Sequence, residues 1–103
     1  MLNPQQLREQ IRRVQEEVQR AQEDIAAMVV VGYAAGESVQ VEIGGDQQVR
    51  AVRISPAVVD PEEIELLEDL LKIAINDALT QLQDATAERM NEVTGGMDLP
   101  DLM

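Results

Sequence analysis

The residues of this chain that could do chemistry are its charged side chains, because it contains neither cysteine nor histidine. That absence excludes disulfides, thiol chemistry, histidine acid–base catalysis and zinc sites built from the usual ligands. A serine or threonine nucleophile would lack an evident base, and Gly44-Gly45 fits a turn, not a phosphate-binding loop. We therefore predict no catalytic residues, no metal, no cofactor and no small-molecule substrate, and we do not expect an enzyme.

The acidic side chains are numerous, and their placement indicates solubility and helix stabilisation. Several fall at the predicted start, or on the polar strip, of a long second helix: Glu62, Glu63, Glu65, Glu68 and Asp69. Negative charge at that end interacts favourably with the helix dipole. The net charge is −12, of which residues 54–103 carry −10 and residues 1–53 only −2. The acidic half would repel a polyanion, so any polyanion must bind to the first half.

The basic side chains concentrate near the start of the chain. Residues 1–22 hold four arginines and three glutamates, and the positive end of a helix dipole adds to them. The four are Arg8, Arg12, Arg13 and Arg20. Pairs at i, i+4, such as Arg12 with Glu16, are also typical of a solvated, self-paired helix face. The segment is nevertheless the one place where a phosphate backbone would meet a favourable potential.

These arginines fall in a segment that we predict to be the first helix, over about residues 4–28. Asn3, Pro4 and Gln6 form a capping box with proline at the first helical position. Apolar residues then recur at alternating steps of four and three: Leu7, Ile11, Val14, Val18, Ala21, Ile25 and Met28. Such a heptad stripe packs against one other helix. That helix is either the distal half of the second helix or the first helix of another subunit.

The second helix is predicted over about residues 61–94, with Asp60 as N-cap, Pro61 at the first position and Gly95-Gly96 as the stop. Its apolar residues cover an arc of roughly 240°, far wider than a one-sided surface helix needs. One cover can come from this chain, and the second is most simply another copy. The predicted dimer core is Leu67, Leu70, Leu71, Ala74, Ile75 and Ala78. Asp77 falls inside the apolar arc and is predicted to be a buried, hydrogen-bonded polar residue.

Residues 29–54 change to β-branched, alternating segments separated by glycine-containing turns. Val39, Val41 and Ile43 alternate with polar residues, and Val52 and Ile54 share one face of a later strand. Two or three short antiparallel strands between two long helices predict an α+β fold. We assign residues 1–96 to a single helix–strands–helix domain and residues 97–103 to a C-terminal tail. A disordered tail is the simplest interpretation, and docking of Leu99 and Leu102 into a groove on the dimer is the alternative.

The compartment is predicted from what the sequence lacks. Nothing at the N-terminus resembles a signal peptide, and the longest apolar runs are too short to cross a bilayer. We therefore expect a cytoplasmic protein with no membrane partner.

Several segments together resemble the YbaB/EbfC family of bacterial nucleoid-associated proteins. The similarity begins at Val52-Arg53-Ile54-Ser55-Pro56 and continues through Leu67–Leu71 and Ala74–Ala78. It ends at Met90–Gly96, and the order helix, strands, helix extends it over nearly the whole chain. One departure is that the family's helices tend to be lysine-rich, whereas Lys72 is the single lysine here.

The resemblance implies a tweezer-like homodimer that binds double-stranded DNA with little sequence preference and alters its conformation. It further implies a place in the nucleoid and roles in nucleoid organisation, gene regulation and DNA protection. Under this hypothesis Arg8, Arg12, Arg13 and Arg20 are the phosphate contacts, strongly salt-sensitive. The alternative left open is an acidic structural module that docks a basic protein partner without touching DNA.

Overall fold

The computed structural model describes residues 3–96, with side chains through residue 93. The elements in order are α1 (Pro4–Ala27), β1 (Val29–Ala34), β2 (Val39–Gly44), β3 (Val49–Ile54), a 3-10 turn (Pro56–Val58) and α2 (Ile64–Gly96). The three strands form one antiparallel sheet in the order β1-β2-β3. The predicted α+β arrangement of long helix, small antiparallel sheet and long helix is confirmed.

α1 begins with reciprocal hydrogen bonds between Asn3 and Gln6. The Asn3 side chain accepts from the Gln6 backbone N–H at 2.8 Å, and the Asn3 N–H donates to the Gln6 side chain at 3.3 Å. Each bond satisfies a backbone N–H that the first helical turn leaves without a partner. The helix ends at Ala27, because Met28 is already extended and leads directly into β1.

The sheet has one apolar face, and α2 lies across part of it. Val39, Val41 and Ile43 of β2 point to this face and are fully or nearly fully buried. A helix is about 10 Å wide and strands are about 4.8 Å apart, so one helix covers about two strands. α2 accordingly packs on β1 and β2. The third strand is left with its inner face open.

Gly32 explains how closely α2 can approach. Glycine-containing turns are expected between the strands, and Gly36 does lie in one, whereas Gly32 lies inside β1 and pairs with Val41. A Cβ atom at Gly32 would overlap the backbone of Ala74 and Ala78. The glycine is therefore required by close packing of helix on strand, not by a turn.

Both ends of α2 differ from the prediction. Asp60 and Pro61 were expected to start the helix, but Asp60 instead accepts from Glu62 N–H at 3.0 Å through its side chain and from Glu63 N–H at 2.9 Å through its carbonyl. These bonds close a turn, and the helix begins only at Ile64. At the other end α2 includes Gly95 and Gly96, which were expected to lie beyond it. The predicted tail, residues 97–103, lies outside the described residues.

The described chain is elongated. Its principal extents are 71 × 28 × 16 Å and its radius of gyration is 20.3 Å, against about 13 Å for a compact domain of about 100 residues. The length comes from α1 and the distal part of α2, which run together away from the sheet. We call this pair of helices the arm, and the sheet with the first half of α2 the body.

Candidate nucleic-acid interface

The arm is held together by small apolar contacts and one ion-pair cluster. Ala21 of α1 is fully buried, and Leu82 and Val93 of α2 are nearly so. Arg89 donates to the Asp24 carboxylate at 2.9 Å and to Glu92 at 3.2 Å. Of the two helix partners proposed from the heptad stripe, α1 therefore has the distal half of α2 for its C-terminal half.

Arg89 was not predicted as a functional residue, although it is one of only two basic residues after residue 53. Its hydrogen bond to Asp24, with help from the nearby Glu92 charge, raises the Arg89 pKa above its ordinary value. The guanidinium stays charged at every physiological pH and joins the two helices of the arm.

The two helices of the arm are antiparallel, which fixes the place of Arg20. Asp24 contacts Arg89. Glu17 and Arg20, which precede Asp24 in α1, line a small cavity with Arg89 and with two residues that follow it in α2, Glu92 and Val93. Arg20 thus lies at the seam of the arm, among carboxylates from both helices. Arg20 is itself exposed and falls within the same arc of α1 as Arg8 and Arg13, about 10 Å further along the helix axis than Arg13.

Arg8, Arg12 and Arg13 lie on the N-terminal half of α1 and are exposed. Within the part of the chain that the structure describes, Arg8 and Arg13 have no ion pair, and Arg12 meets Glu16 only at 4.0 Å. Both side chains of that pair are mostly exposed, and an ion pair between exposed side chains contributes little free energy. Glu9 is the one acidic residue in 4–15, so this half of α1 carries net positive charge.

The three arginines share one side of the helix. At 100° per residue Arg8, Arg12 and Arg13 fall within an arc of about 140°, and they span about 8 Å along the axis. The arc points away from the apolar stripe that faces α2 further along α1. A duplex carries one negative charge per about 1.7 Å of axis. The cluster therefore places three positive charges within a short length of one helix.

The acidic residues of the body lie far from this site. Glu65, Glu68 and Asp69 are exposed in the first turns of α2, and the axis of α2 carries its other end about 45 Å away. At physiological ionic strength the Debye length is about 8 Å. These acidic residues of the body therefore act weakly on the distal end of α1, where Glu9, Glu16 and Glu17 of the same helix are the nearer carboxylates.

The predicted dimer core is divided by the structure. Ala74 and Ala78 are fully buried inside the single chain, against β1, so they are not available to a second copy. This corrects the prediction for these two residues. Its physical reason is that the smallest side chains are placed where the helix approaches Gly32 most closely. The other four, Leu67, Leu70, Leu71 and Ile75, are half-buried.

The apolar surface that remains open on the body includes β3 as well as α2, where the sequence predicts the dimer core. On the inner face of β3, Val49, Val52 and Ile54 are 54%, 49% and 37% exposed. On α2 the exposed residues are Ile64, Leu66, Ile73 and Leu79. The alternation that places Val52 and Ile54 on one face is readable in the sequence. Which strands α2 covers is not, because that depends on where the helix lies across the sheet.

Asp77 is half-buried in the single chain, where a buried residue was predicted. Its Oδ2 accepts from the Tyr33 backbone N–H at 2.9 Å and from the Gln81 side-chain amide at 3.2 Å. The same amide donates to the Val31 carbonyl at 2.8 Å. β1 is an edge strand, so Asp77 and Gln81 satisfy backbone groups that would otherwise be free to pair with another strand.

Other kinds of site find little support in residues 3–96. No group of three or more histidine, cysteine or acidic residues there is arranged to hold a metal ion. No helix among the same residues is long and apolar enough to cross a membrane.

Comparison with known proteins connects this geometry to a family. The sequence profile of the YbaB/EbfC DNA-binding family matches residues 1–97. A protein of Chloroflexus aurantiacus named nucleoid-associated protein is 42% identical over 96 residues, which cover 93% of this chain and 96% of that protein. A Lactococcus lactis protein with the same name is 37% identical over 97 residues, covering 94% of this chain and 98% of the relative.

A solved structure shares the fold at low sequence identity. The crystal structure of an uncharacterized protein from Helicobacter pylori aligns with a TM-score of 0.65 and 18% identity. The alignment covers 94% of this chain and 98% of that one. At this identity the comparison supports the helix–sheet–helix arrangement and nothing further.

Proposed function

The chain belongs to the YbaB/EbfC DNA-binding family, and we propose that it is a nucleoid-associated protein that binds double-stranded DNA as a homodimer. Contacts to phosphates carry the binding, so it has little sequence preference. Two arms of one dimer engage the duplex and alter its conformation. The relatives' shared name supports the location in the nucleoid and the role in its organisation.

The observation that carries this proposal is the cluster of Arg8, Arg12 and Arg13. These side chains are exposed, share one side of α1, and lack strong ion pairs among the described residues. They also lie at a distance from the acidic body. Arg20, at the seam of the arm, contributes less because Glu17 and Glu92 line the same cavity.

The homodimer is supported by the open apolar surface of the body. The inner face of β3 has room for one more helix beside α2, because α2 occupies β1 and β2. A second copy's α2 would fill that place and bury Val52 and Ile54 against its own apolar residues. Leu67, Leu70, Leu71 and Ile75 then belong to both the chain's own core and the interface. The two arms project from this shared body as a pair of tweezers.

Titrating duplex DNA against salt tests the phosphate contacts. The double variant Arg12→Glu/Arg13→Glu reverses two charges at the cluster and should weaken binding at ~50 mM salt by at least about tenfold, because both contacts become repulsive. Fluorescence anisotropy with a labelled duplex of arbitrary sequence measures the loss. If six arginines of a dimer each meet one phosphate, log K should fall with log salt at a slope no steeper than about −5.

A control with the same change of net charge separates local contact from overall repulsion. Lys72→Glu alters an exposed lysine on the polar strip of α2, outside the arm. It changes the net charge as much as the single variant Arg12→Glu does, and it should weaken binding only slightly. Equal losses in Lys72→Glu and Arg12→Glu, or none in either, would show that the α1 cluster is not the DNA contact.

The acidic net charge supports a second candidate function. A net charge of −12, concentrated after residue 53, fits an acidic module that docks a basic protein partner with no direct DNA contact. The titration decides between the two. A steep salt-sensitive complex with DNA supports the first function, and no complex at ~50 mM salt supports the second.

A further inference from the structure

The N-terminal half of α1 carries an apolar groove. Leu7 and Ile11 are 49% and 50% exposed, and with Val14 they line a shallow cavity whose lining residues all belong to α1. The groove continues the heptad stripe that packs on α2 further along the helix, where Ala21 is buried. Because a heptad stripe is a surface for packing another helix, this half of α1 is suited to a second helical partner.

The margins of the groove indicate which helix fits. They are formed by Gln10 and Gln15, which carry no charge. The half of α1 that packs on α2 is different, because Glu17 and Asp24 lie beside it and Asp24 pairs with Arg89. A glutamine amide both donates and accepts hydrogen bonds, so two copies of the same margin can bond to each other. The groove therefore fits the same segment of a second copy.

The spacing of the groove residues is self-complementary. Leu7 comes four residues before Ile11 and Val14 comes three residues after it, about 6 Å and 4.5 Å along the helix axis. In an antiparallel pair with Ile11 near the two-fold axis, Leu7 of each copy would therefore meet Val14 of the other.

The charges around α1 also favour the antiparallel pair. Arg8 and Arg12 lie about 90° and 130° from the groove on one flank of the helix. Glu17 lies on the opposite flank, and Glu9 and Glu16 lie at the back, about 170° from the groove. The two-fold axis is perpendicular to the plane of the two helices, so each flank carries the same residues from both copies. One flank of the pair would thus present four arginines.

The groove is too small to hold two free molecules together. Half-exposed side chains of this number would bury on the order of a few hundred Å² in total, whereas a stable interface needs about 1,000 Å² or more. Two dimers that are bound side by side on one duplex meet at a much higher local concentration. The contact therefore becomes effective on DNA.

We propose that the N-terminal halves of α1 from two neighbouring dimers pair antiparallel through Leu7, Ile11 and Val14, and that this contact makes binding to a duplex cooperative. The flank with Arg8 and Arg12 of both copies faces the phosphates. The cooperative role rests on the proposed function, whereas the pairing itself does not.

Disulfide cross-linking of the full chain tests the pairing. The chain has no cysteine, so Ile11→Cys introduces a single thiol near the two-fold axis. Mild oxidation on a duplex that is long enough for several dimers should link these chains in pairs. After digestion of the DNA the product should elute from a sizing column as larger than a dimer. Without DNA the same link should form only at high protein concentration.

Gln5→Cys is the matched control, because Gln5 lies about 150° from the groove around α1 and should cross-link far less. Equal cross-linking of the two variants, or none through Ile11→Cys under any of these conditions, would overturn the pairing. A linked product of unchanged size would also overturn it, because the two arms of one dimer would then close on each other.

DNA titration tests the cooperative role. On the long duplex the original chain should reach half-saturation at a protein concentration about tenfold lower than on a short duplex that holds one dimer, as a weak second contact at high local concentration allows. Leu7→Gln/Ile11→Gln keeps good helix formers in α1 and changes no charge. It should bind the short duplex like the original chain and lose the advantage on the long one.

Equal half-saturation of the original chain and this variant on the long duplex would overturn the cooperative role. Failure of the original chain to bind either duplex would instead refute the proposed function. Cross-linking through Ile11→Cys at high protein concentration without DNA would still decide whether the arms pair.

Discussion

At the scale of single residues, the α2–sheet contact depends on side chains that are absent or small. Gly32 has no Cβ, and the side chains of Ala74 and Ala78 are single methyl groups. This combination lets the helix backbone approach the strand more closely than larger residues allow. Asp77 then uses the short distance to accept from the Tyr33 N–H. The close approach of α2 to β1 therefore also allows Asp77 to protect the edge of the sheet.

Gly32→Ala should destabilise the fold by about 1–3 kcal/mol, the usual cost of overpacking, because its Cβ would overlap the backbone of Ala74 and Ala78. Urea denaturation followed by circular dichroism measures the change. Gly44→Ala is the control, since the nearest atoms to its Cβ would be side-chain atoms of Arg50 and Asp46, which can move. If the two variants were equally stable, the close approach would not be the reason for glycine at position 32.

At the scale of elements, α1 divides into two halves with different tasks. The C-terminal half packs on α2 through Ala21 and is tied by Asp24 to Arg89. The N-terminal half carries the net positive charge and the uncovered apolar groove. An α-helix is stiff, so packing at one end of a helix also fixes where the side chains at its other end lie. The pairing with α2 therefore sets where the arginines point.

Arg89→Gln should loosen the arm without unfolding the body. It removes the charge that bridges Asp24 and Glu92, while the buried apolar contacts of the body remain. Hydrogen–deuterium exchange should become faster at the amides of residues 17–25, and the exchange of β2 should not change. Lys72→Gln, which removes the other basic charge of the second half from an exposed strip of α2, serves as the control. Faster exchange throughout the chain would mean that Arg89 supports global stability.

At the scale of the whole molecule, the body of a single chain is incomplete. Its sheet has three strands and its helix covers two of them, so the apolar residues of β3 face open space. A surface of this kind marks an interaction site. The elongated shape, 71 Å in its longest extent, follows from the arm, which places the arginines of α1 at a distance from the body.

Val52→Asp should weaken self-association, because this residue is 49% exposed on the open inner face of β3 and a carboxylate in an apolar interface is left unpaired. Light scattering on a sizing column should report a dimer for the original chain and a shift toward monomer for the variant. Asn76→Asp places the same charge on the polar strip of α2 and should leave the dimer intact. Circular dichroism separates dissociation from unfolding. A monomeric original chain would remove the basis of the tweezer arrangement.

Much of this protein is determined by local sequence. The heptad stripe of α1, the Asn3–Gln6 cap and the alternation in β2 each appear as the sequence predicts, because spacing and capping depend on near neighbours along the chain. The location of the arginine cluster on α1 follows from the same local rules. The start of α2 does not follow from local sequence, because Asp60 can form either a helix cap or a turn. Only the surrounding structure selects one of the two.

The tertiary structure alone decided which apolar residues of α2 are used inside the chain. Ala74 and Ala78 belong to the same apolar arc as Leu70 and Ile73 in the sequence, and periodicity assigns all of them equally to a core. Their separation depends on Gly32, more than 40 residues away, and on the two strands that one helix can cover. Likewise Arg20 and Arg13 look alike in the sequence, but it is Arg20 that lines a cavity with Arg89 and Glu92 of α2. Pairings over such distances are set by packing geometry, which local spacing does not encode.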